Sequence, residues 1–452
     1  VDLTRGKLIF LILSAFAVVS CGRFWGSVSR FGGGSGGNSG DSGNICTSQE
    51  ITGWIHVDRG AGGGINIVPA SSAFTPFPIV FNSKLYALWI EAAPVRAALY
   101  NGNDLAPSWA AEDTGGLNHD NLKAVANPTA AVFNSQLFAT WLEKDAVNVY
   151  QVRAGVYNGN DALPNWSRID GDGAEGINAI TANQATTTAY PILTSFNSKL
   201  YAAWTETDGT NQIRVAVWNG VSVFTSVTGS ANGINVLPAN QAHQPTLAVY
   251  NSKLYASWVE GGAGVFYVRV AVYNGNDGAP SWSFVDGGGP TGLNLSGAGV
   301  SAENPKFTVF NSKLYLGWDE AAAPFVIHFN VYNGQDGSPL WTQVDTIAAG
   351  SNFDISKNAQ FVDLATFNCK LYGTWQESDG AGVKQIRIAV YNGNDASPNW
   401  SFVDGSGLEG INFDNTVNAN IPFIRSYNSK LYDVWQEQDA GPTQSRASVG
   451  LQ

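Results

Sequence analysis

Phe81-Asn82-Ser83-Lys84-Leu85-Tyr86 decides the fold, because the pattern begins again at Phe133, Phe196, Tyr250, Phe310, Phe367 and Tyr427. Spacings of 52 to 63 residues mark an array of repeated supersecondary units. Each copy sits in the same local order. An apolar stretch such as Lys306 to Phe310 precedes the Asn-Ser turn, where Asn accepts backbone conformations closed to β-branched residues. Lys-Leu-Tyr-x-x-Trp-x-Glu follows, as at Lys313 to Glu320. A third stretch has the form Arg387-Ile388-Ala389-Val390-Tyr391. A Gly-Asn-Asp-x-x-Pro loop then leads to a fourth, of the form Trp400-Ser401-Phe402-Val403-Asp404. Trp, Tyr and Val runs bounded by Gly, Asn, Asp and Pro predict strands, so one unit reads as a four-stranded sheet.

The two ends complete one another. Strands one and two occur seven times, yet only six complete three–four hairpins lie between them. The missing fourth strand is at the front, Trp54-Ile55-His56-Val57-Asp58, and the missing third at the back, Arg446-Ala447-Ser448-Val449. An open solenoid would carry dissimilar capping repeats. Complementary ends instead predict an all-β, seven-bladed β-propeller of four-stranded blades, closed by an N-terminal strand that completes the last blade.

Composition agrees. Charged residues are 13% and aromatics 12% of 452 residues, enough for a large core and too apolar for wholesale disorder. A net charge of −12 excludes the basic stripe of a nucleic-acid binder.

Ahead of the repeats, Arg5 and Lys7 precede an apolar run from Leu8 to Val19, the form of a secretory signal and too short to span a bilayer. The run ends Val18-Val19-Ser20-Cys21-Gly22, which resembles a bacterial lipobox. That resemblance implies a lipidated Cys21 as mature N-terminus, and Gly22 beside it implies sorting to the outer membrane or cell surface. Residues 1–20 are therefore expected to be a lipoprotein signal peptide and 21–48 the lipidated cysteine with a flexible linker; 49–452 would be the propeller. Gly32 to Gly43 holds seven glycines in twelve residues, a tether composition. Cys46 and Cys369 remain, and an oxidising compartment allows them a disulfide if neighbouring blades bring them together on one face.

Thirteen of the fifteen tryptophans are in register. Trp54, Trp109, Trp166, Trp282, Trp341 and Trp400 begin strand four, with Phe224 in the third unit's place, and read as packing between blades. The other seven belong to Trp-x-Glu, followed by a basic residue at the start of strand three. The sets are Trp89/Glu91/Arg96, Trp141/Glu143/Arg153, Trp204/Glu206/Arg214 and Trp258/Glu260/Arg269. Trp318/Glu320/His328, Trp375/Glu377/Arg387 and Trp435/Glu437/Arg446 complete them. One reading is a cross-strand ion pair that pins hairpin register. The other is a repeated sugar pocket, with the ring stacked on Trp while Glu and Arg bond hydroxyls.

Residues 213–215 and 386–391 are similar in pattern to fucose-binding propeller lectins, a resemblance that implies inter-blade carbohydrate sites. Asp395 with Trp400 five residues on resembles the Asp-box hairpin of sialidase-type propellers, although Gly393 stands where the box has Ser. The spacing recurs from Asp104, Asp161, Asp277 and Asp336, and in that family the box is structural.

His56, His119, His243 and His328 are scattered, without a nucleophile–base signature or zinc spacing. The resulting expectation is a lipid-anchored extracytoplasmic binding module for glycans or cell-surface proteins, with no enzymatic activity, cofactor, metal or nucleic-acid partner. The alternatives are a self-assembling surface scaffold without a small ligand and a glycan hydrolase at the propeller axis. An enzyme would need one non-repeated polar cluster at a face of the channel.

Overall fold

The computed structural model describes residues 49–452, apart from 61–62, 172–175, 288, 298, 346–349, 406, 408 and 440. The expected signal segment, Cys21, the glycine-rich stretch and Cys46 lie outside the described residues.

Blade 1 runs outward from Ala73–Phe81 through Lys84–Glu91 and Val95–Tyr100 to Trp109–Ala111, each strand antiparallel to the next. Blades 2 to 6 repeat that order from their inner strands Val125–Phe133, Ile192–Phe196, Gln241–Tyr250, Ala302–Phe310 and Ala359–Phe367. Blade 7 supplies Ala419–Tyr427, Lys430–Glu437 and Gln444–Leu451, and takes Gly53–His56 as its outer strand. Gly53 lies opposite Leu451 and His56 opposite Ser448. The inner strand of blade 1 touches those of blades 2 and 7, so the ring closes as the chain ends predict.

Two belts of polar contacts hold the blades side by side. In the outer belt, each strand-four Trp donates its indole N–H to a carbonyl of the preceding blade. Trp109 bonds Val57, Trp166 bonds Glu112 and Trp282 bonds Val227; Trp341 bonds Val285, Trp400 bonds Val344 and Trp54 bonds Val403, at 2.8–3.0 Å. The N-terminal strand thus links blade 6 to blade 1 as well as completing blade 7.

The second belt uses the Asp of the Gly-Asn-Asp loop. Asp277 accepts the phenol hydroxyls of Tyr273 in its own blade and Tyr201 in the preceding one, each at 2.9 Å, and pairs with Lys199. Asp104, Asp161, Asp336 and Asp395 make the same three links. Between blades 2 and 3 the set is replaced as a whole. Gln136, Phe138 and Trp218 stand in for Lys and the two tyrosines, and the loop Asn219-Gly220-Val221 has no Asp. Trp218 packs edge-on against Phe138 with ring centroids 5.4 Å apart, and its buried indole N–H has no hydrogen-bond partner among the described residues.

Blade 7 has no continuous three–four loop, and Glu50 takes the Asp role, 2.9 Å from Lys370. Asn368 donates to the Gln49 carbonyl beside it. Cys369, between these two contacts, is disulfide-bonded, and the other half lies outside the described residues.

Replacing Asp277 by Ala strands two phenol hydroxyls and should cost about 2 kcal/mol of unfolding free energy in a denaturant titration. Lys199→Ala removes only a half-exposed ion pair and should cost less than about 1 kcal/mol.

Candidate functional site

The repeated Trp-x-Glu groups are interior. All seven tryptophans and all seven glutamates are 0–2% exposed. Each indole N–H donates to the carboxylate two residues on, at 2.8–3.0 Å. The same carboxylate accepts two successive backbone N–H groups from the connection entering that blade. Ile67 and Val68 donate to Glu91, His119 and Asp120 to Glu143, and Val236 and Leu237 to Glu260. Ala179 and Ile180 serve Glu206, and Leu295 and Ser296 serve Glu320. Phe353 and Asp354 serve Glu377, and Phe413 and Asp414 serve Glu437. Burial holds the carboxyls of Glu206, Glu377 and Glu437 above their ordinary range.

The expected Glu–Arg facing pairs are corrected. Register places Trp, not Glu, across from the basic residue: Trp89 faces Arg96, Trp258 faces Arg269 and Trp435 faces Arg446. The guanidinium groups reach instead for an Asp at the end of strand four. Arg96 pairs with Asp113 at 2.9 Å, Arg153 with Asp170 at 3.5 Å and Arg269 with Asp286 at 2.7 Å. Arg387 pairs with Asp404 at 3.3 Å and Arg446 with Asp58 at 3.6 Å, and His328 pairs with Asp345. Blade 3, with Thr228 in place of that Asp, turns its Arg214 back to Glu206, 3.7 Å away, and in blade 5 the other ring nitrogen of His328 lies 3.8 Å from Glu320. An Asp four residues after each strand-four Trp was the sequence signal for these pairs. Faces that a sugar ring would need are covered by the protein itself: Arg387 lies 4.0 Å from the Phe353 ring and Arg446 4.1 Å from that of Phe413.

The blades differ from one another on the axis. Inner strands of blades 1 to 4 carry no Lys, Arg, Asp or Glu, whereas those of blades 5 to 7 carry Glu303, Lys306, Asp363 and Arg425. Phe423 of blade 7 meets Tyr190, just ahead of the blade 3 inner strand, edge to face across the channel at 5.9 Å. Phe77 of blade 1 joins it at 5.2 Å. Above this aromatic floor is an open cup, walled by Gln244, Asn304 and Phe361 among others. Beneath it a second, smaller cavity is lined by Thr129, Thr246, Asp363 and Arg425. Lys306 and Phe423 border both.

Charge in the floor is unevenly matched. Arg425 pairs with Asp363 at 2.6 Å and lies over the Phe77 ring at 5.1 Å. Asp363 also accepts the Ile424 N–H at 3.1 Å. The Lys306 ammonium sits 5.6 Å from the Tyr190 ring and 5.7 Å from that of Phe423. Burial pushes the Lys306 ammonium below its ordinary range; Asp363 opposes that and Arg425 adds to it.

The cup wall is conformationally unusual. Six inner strands carry a register-shifting bulge here, and its pivot has a left-handed backbone at Thr75, Asn127, Gln244, Asn304, Phe361 and Ile421, with φ of 51–60°. Side chains of adjacent blades hold several pivots in place. Asp319 accepts the Phe361 N–H at 3.1 Å, Gln376 that of Ile421 at 3.3 Å and Gln436 that of Thr75 at 3.0 Å. These three acceptors are the middle residue of Trp-x-Glu in blades 5, 6 and 7.

No protein-family model matches the sequence, and no curated protein matches it. Solved structures match in fold. Polysaccharide lyase Uly1 is 13% identical over 89% of this chain and 94% of its own, with a TM-score of 0.52. The Penicillium chrysogenum alpha-L-arabinanase complexed with arabinobiose is 12% identical over 89% of this chain and 98% of that one, TM-score 0.42. The GH93 alpha-L-arabinofuranosidase of Fusarium graminearum with arabinobiose is 14% identical over 72% and 92%, TM-score 0.42. At these identities the likeness is one of ring architecture.

The expected non-enzymatic binding module is therefore overturned. Its repeated pockets are filled by the protein's own side chains. Excluding an enzyme rested on the lack of a unique constellation, and the axis holds one.

Asp433 lies within electrostatic reach of Asp363 and Arg425, bonded by the Thr374 hydroxyl at 2.6 Å, and burial pushes its carboxyl up to about 8. A carboxyl raised in the folded state stabilises most at low pH, and that stability drains as pH rises from about 4 toward 8. Relative to Asp433→Asn, the natural protein should lose on the order of 1 kcal/mol per pH unit across that window, read from denaturation midpoints at pH 5, 6 and 7.

Proposed function

We propose that the protein is a glycan-processing enzyme whose reaction centre is the axial cup around Lys306 and Tyr190. One observation carries this: charged residues confined to the inner strands of blades 5 to 7 break the seven-fold repeat at the axis, with Lys306 on the open cup and Asp363 and Arg425 on the cavity beneath it. Structural repetition explains none of them, because their counterparts in blades 1 to 4 are apolar or uncharged. The lining suits a saccharide, with Tyr190 and Phe361 as faces for a pyranose ring and the amides of Gln244 and Asn304 for its hydroxyls. The Tyr190 hydroxyl is buried with no hydrogen-bond partner among the described residues, a donor held ready for a ligand. Likeness to the lyase supplies the ring; the cup supplies the chemistry. Lipidation at Cys21 would tether this centre at the outer membrane or cell surface, within reach of extracellular polysaccharide.

The test is a panel of polysaccharides incubated with the protein, followed by measurement of new chain ends. The expected result is cleavage of at least one glycan, reduced about a hundredfold in Tyr190→Phe/Lys306→Met at unchanged melting temperature. No new ends from any glycan, or ends that form equally well with the double variant, would reject the reading.

A further inference from the structure

The cup also indicates which glycans suit it, an inference that rests on its being the glycan site. Lys306 is the deciding residue. An ammonium in a partly closed, aromatic-floored cavity ordinarily gains a carboxylate or carbonyl partner, because leaving it without one is costly. Asp363, the nearest acid in electrostatic terms, is committed to Arg425 and to the Ile424 N–H. No hydrogen bond reaches the Lys306 ammonium among the described residues; two ring faces are its only neighbours of note.

Other acids nearby do not balance it. Asp319, behind the Asn304 and Phe361 pivots, is pushed well up by burial, and Glu303 is raised for the same reason. Asp433, pushed up to about 8, is uncharged at neutral pH. Asp363 thus faces both Lys306 and Arg425, one carboxylate against two basic side chains, in a chain of net charge −12. The described residues lining the cup include no carboxylate at all. A cavity of this kind attracts an anion, and low-dielectric walls strengthen the attraction.

We infer that the cup takes an acidic saccharide, with the Lys306 ammonium bonding the anionic oxygens of a carboxylate or sulfate group while the sugar ring lies over the aromatic floor. The free Tyr190 hydroxyl is the second donor to the same group. The absence of carboxylates in the lining fits this, since an acid there would repel the ligand. It also means that the two-carboxylate arrangement of glycoside hydrolysis has no residues in the cup.

Binding is measured by calorimetry on the full chain with three probes of equal length: oligogalacturonate, a sulfated galacto-oligosaccharide and a neutral galacto-oligosaccharide. One or both anionic probes should bind about tenfold or more tightly over the neutral one, weakening with salt. Whether oligogalacturonate or the sulfated probe leads tells carboxylate from sulfate. Lys306→Met should erase the preference and Lys306→Arg keep most of it, each at unchanged melting temperature. Equal binding of neutral and anionic probes, or a preference that survives in Lys306→Met, overturns the inference. Should Lys306→Met misfold, the salt dependence of the natural protein and the Arg variant still decide. Cleavage is followed alongside. Neutral chains cleaved while anionic ones are neither bound nor cleaved would reject the acidic substrate and leave the enzyme. Anionic chains bound through Lys306 with no chain of any kind cleaved would reject the enzyme and leave the site.

Discussion

A buried carboxylate sets the shape of every blade. The Glu of Trp-x-Glu is removed from water, and an ionised group so placed is tolerated only when its oxygens are saturated with donors. One donor comes from its own strand, the indole N–H two residues back; the other two come from the backbone of the incoming connection. The carboxylate therefore fastens a long, otherwise irregular segment to the second strand, and it does so in all seven blades. That segment delivers the chain to the axis at a fixed height. Without the clamp the inner strands would have no common register, and a cup assembled from four of them and the segment ahead of a fifth would have no defined wall.

Lateral order comes from contacts that act between blades rather than within them. Indole N–H groups reach back to the preceding blade on the outside, and Asp carboxylates gather two phenols and an ammonium on the face of the one–two turns. The junction of blades 2 and 3 shows how such a belt can be interrupted. Removing one partner of a buried polar set strands the rest, whereas exchanging the whole set together limits the loss. Gln136, Phe138, Trp218 and the shortened loop are that exchange, with the Trp218 indole N–H as its one group without a partner among the described residues.

Much of this fold is legible in the sequence because it is written seven times. Turn chemistry, strand composition and the complementary ends at Trp54 and Arg446 suffice for the ring. Side-chain partners were harder to read. Glu and Arg look like partners because both recur, but the pleat sets Arg across from Trp, and the recurring Asp at the end of strand four is the true partner. The axial cluster was hidden for the opposite reason. Lys306, Asp363 and Phe423 occupy the same place in three units, two residues after the bulge pivot, and differ there. A comparison of repeats brings out what agrees, while a site on a symmetry axis is made of what disagrees.

A ring of seven equal blades offers seven equal positions to anything on its axis, so a site needs the symmetry broken. Here two kinds of asymmetry fall on the same side. Charges on the inner strands are confined to blades 5, 6 and 7. The same blades replace an apolar residue or Thr within Trp-x-Glu by Asp319, Gln376 and Gln436, whose side chains catch the pivot N–H of the following blade. The pivots so held are Phe361, Ile421 and Thr75, bulky or β-branched residues for which a left-handed backbone is unfavourable. The left-handed pivots outside this arc are Asn127, Asn304 and Gln244, and Asn adopts that conformation readily. Strain of this kind persists only where the surroundings over-determine it. Its coincidence with Lys306, Asp363 and Arg425 places both departures from the repeat at one arc of the channel, where the energy of the scaffold has been spent on shape rather than on stability.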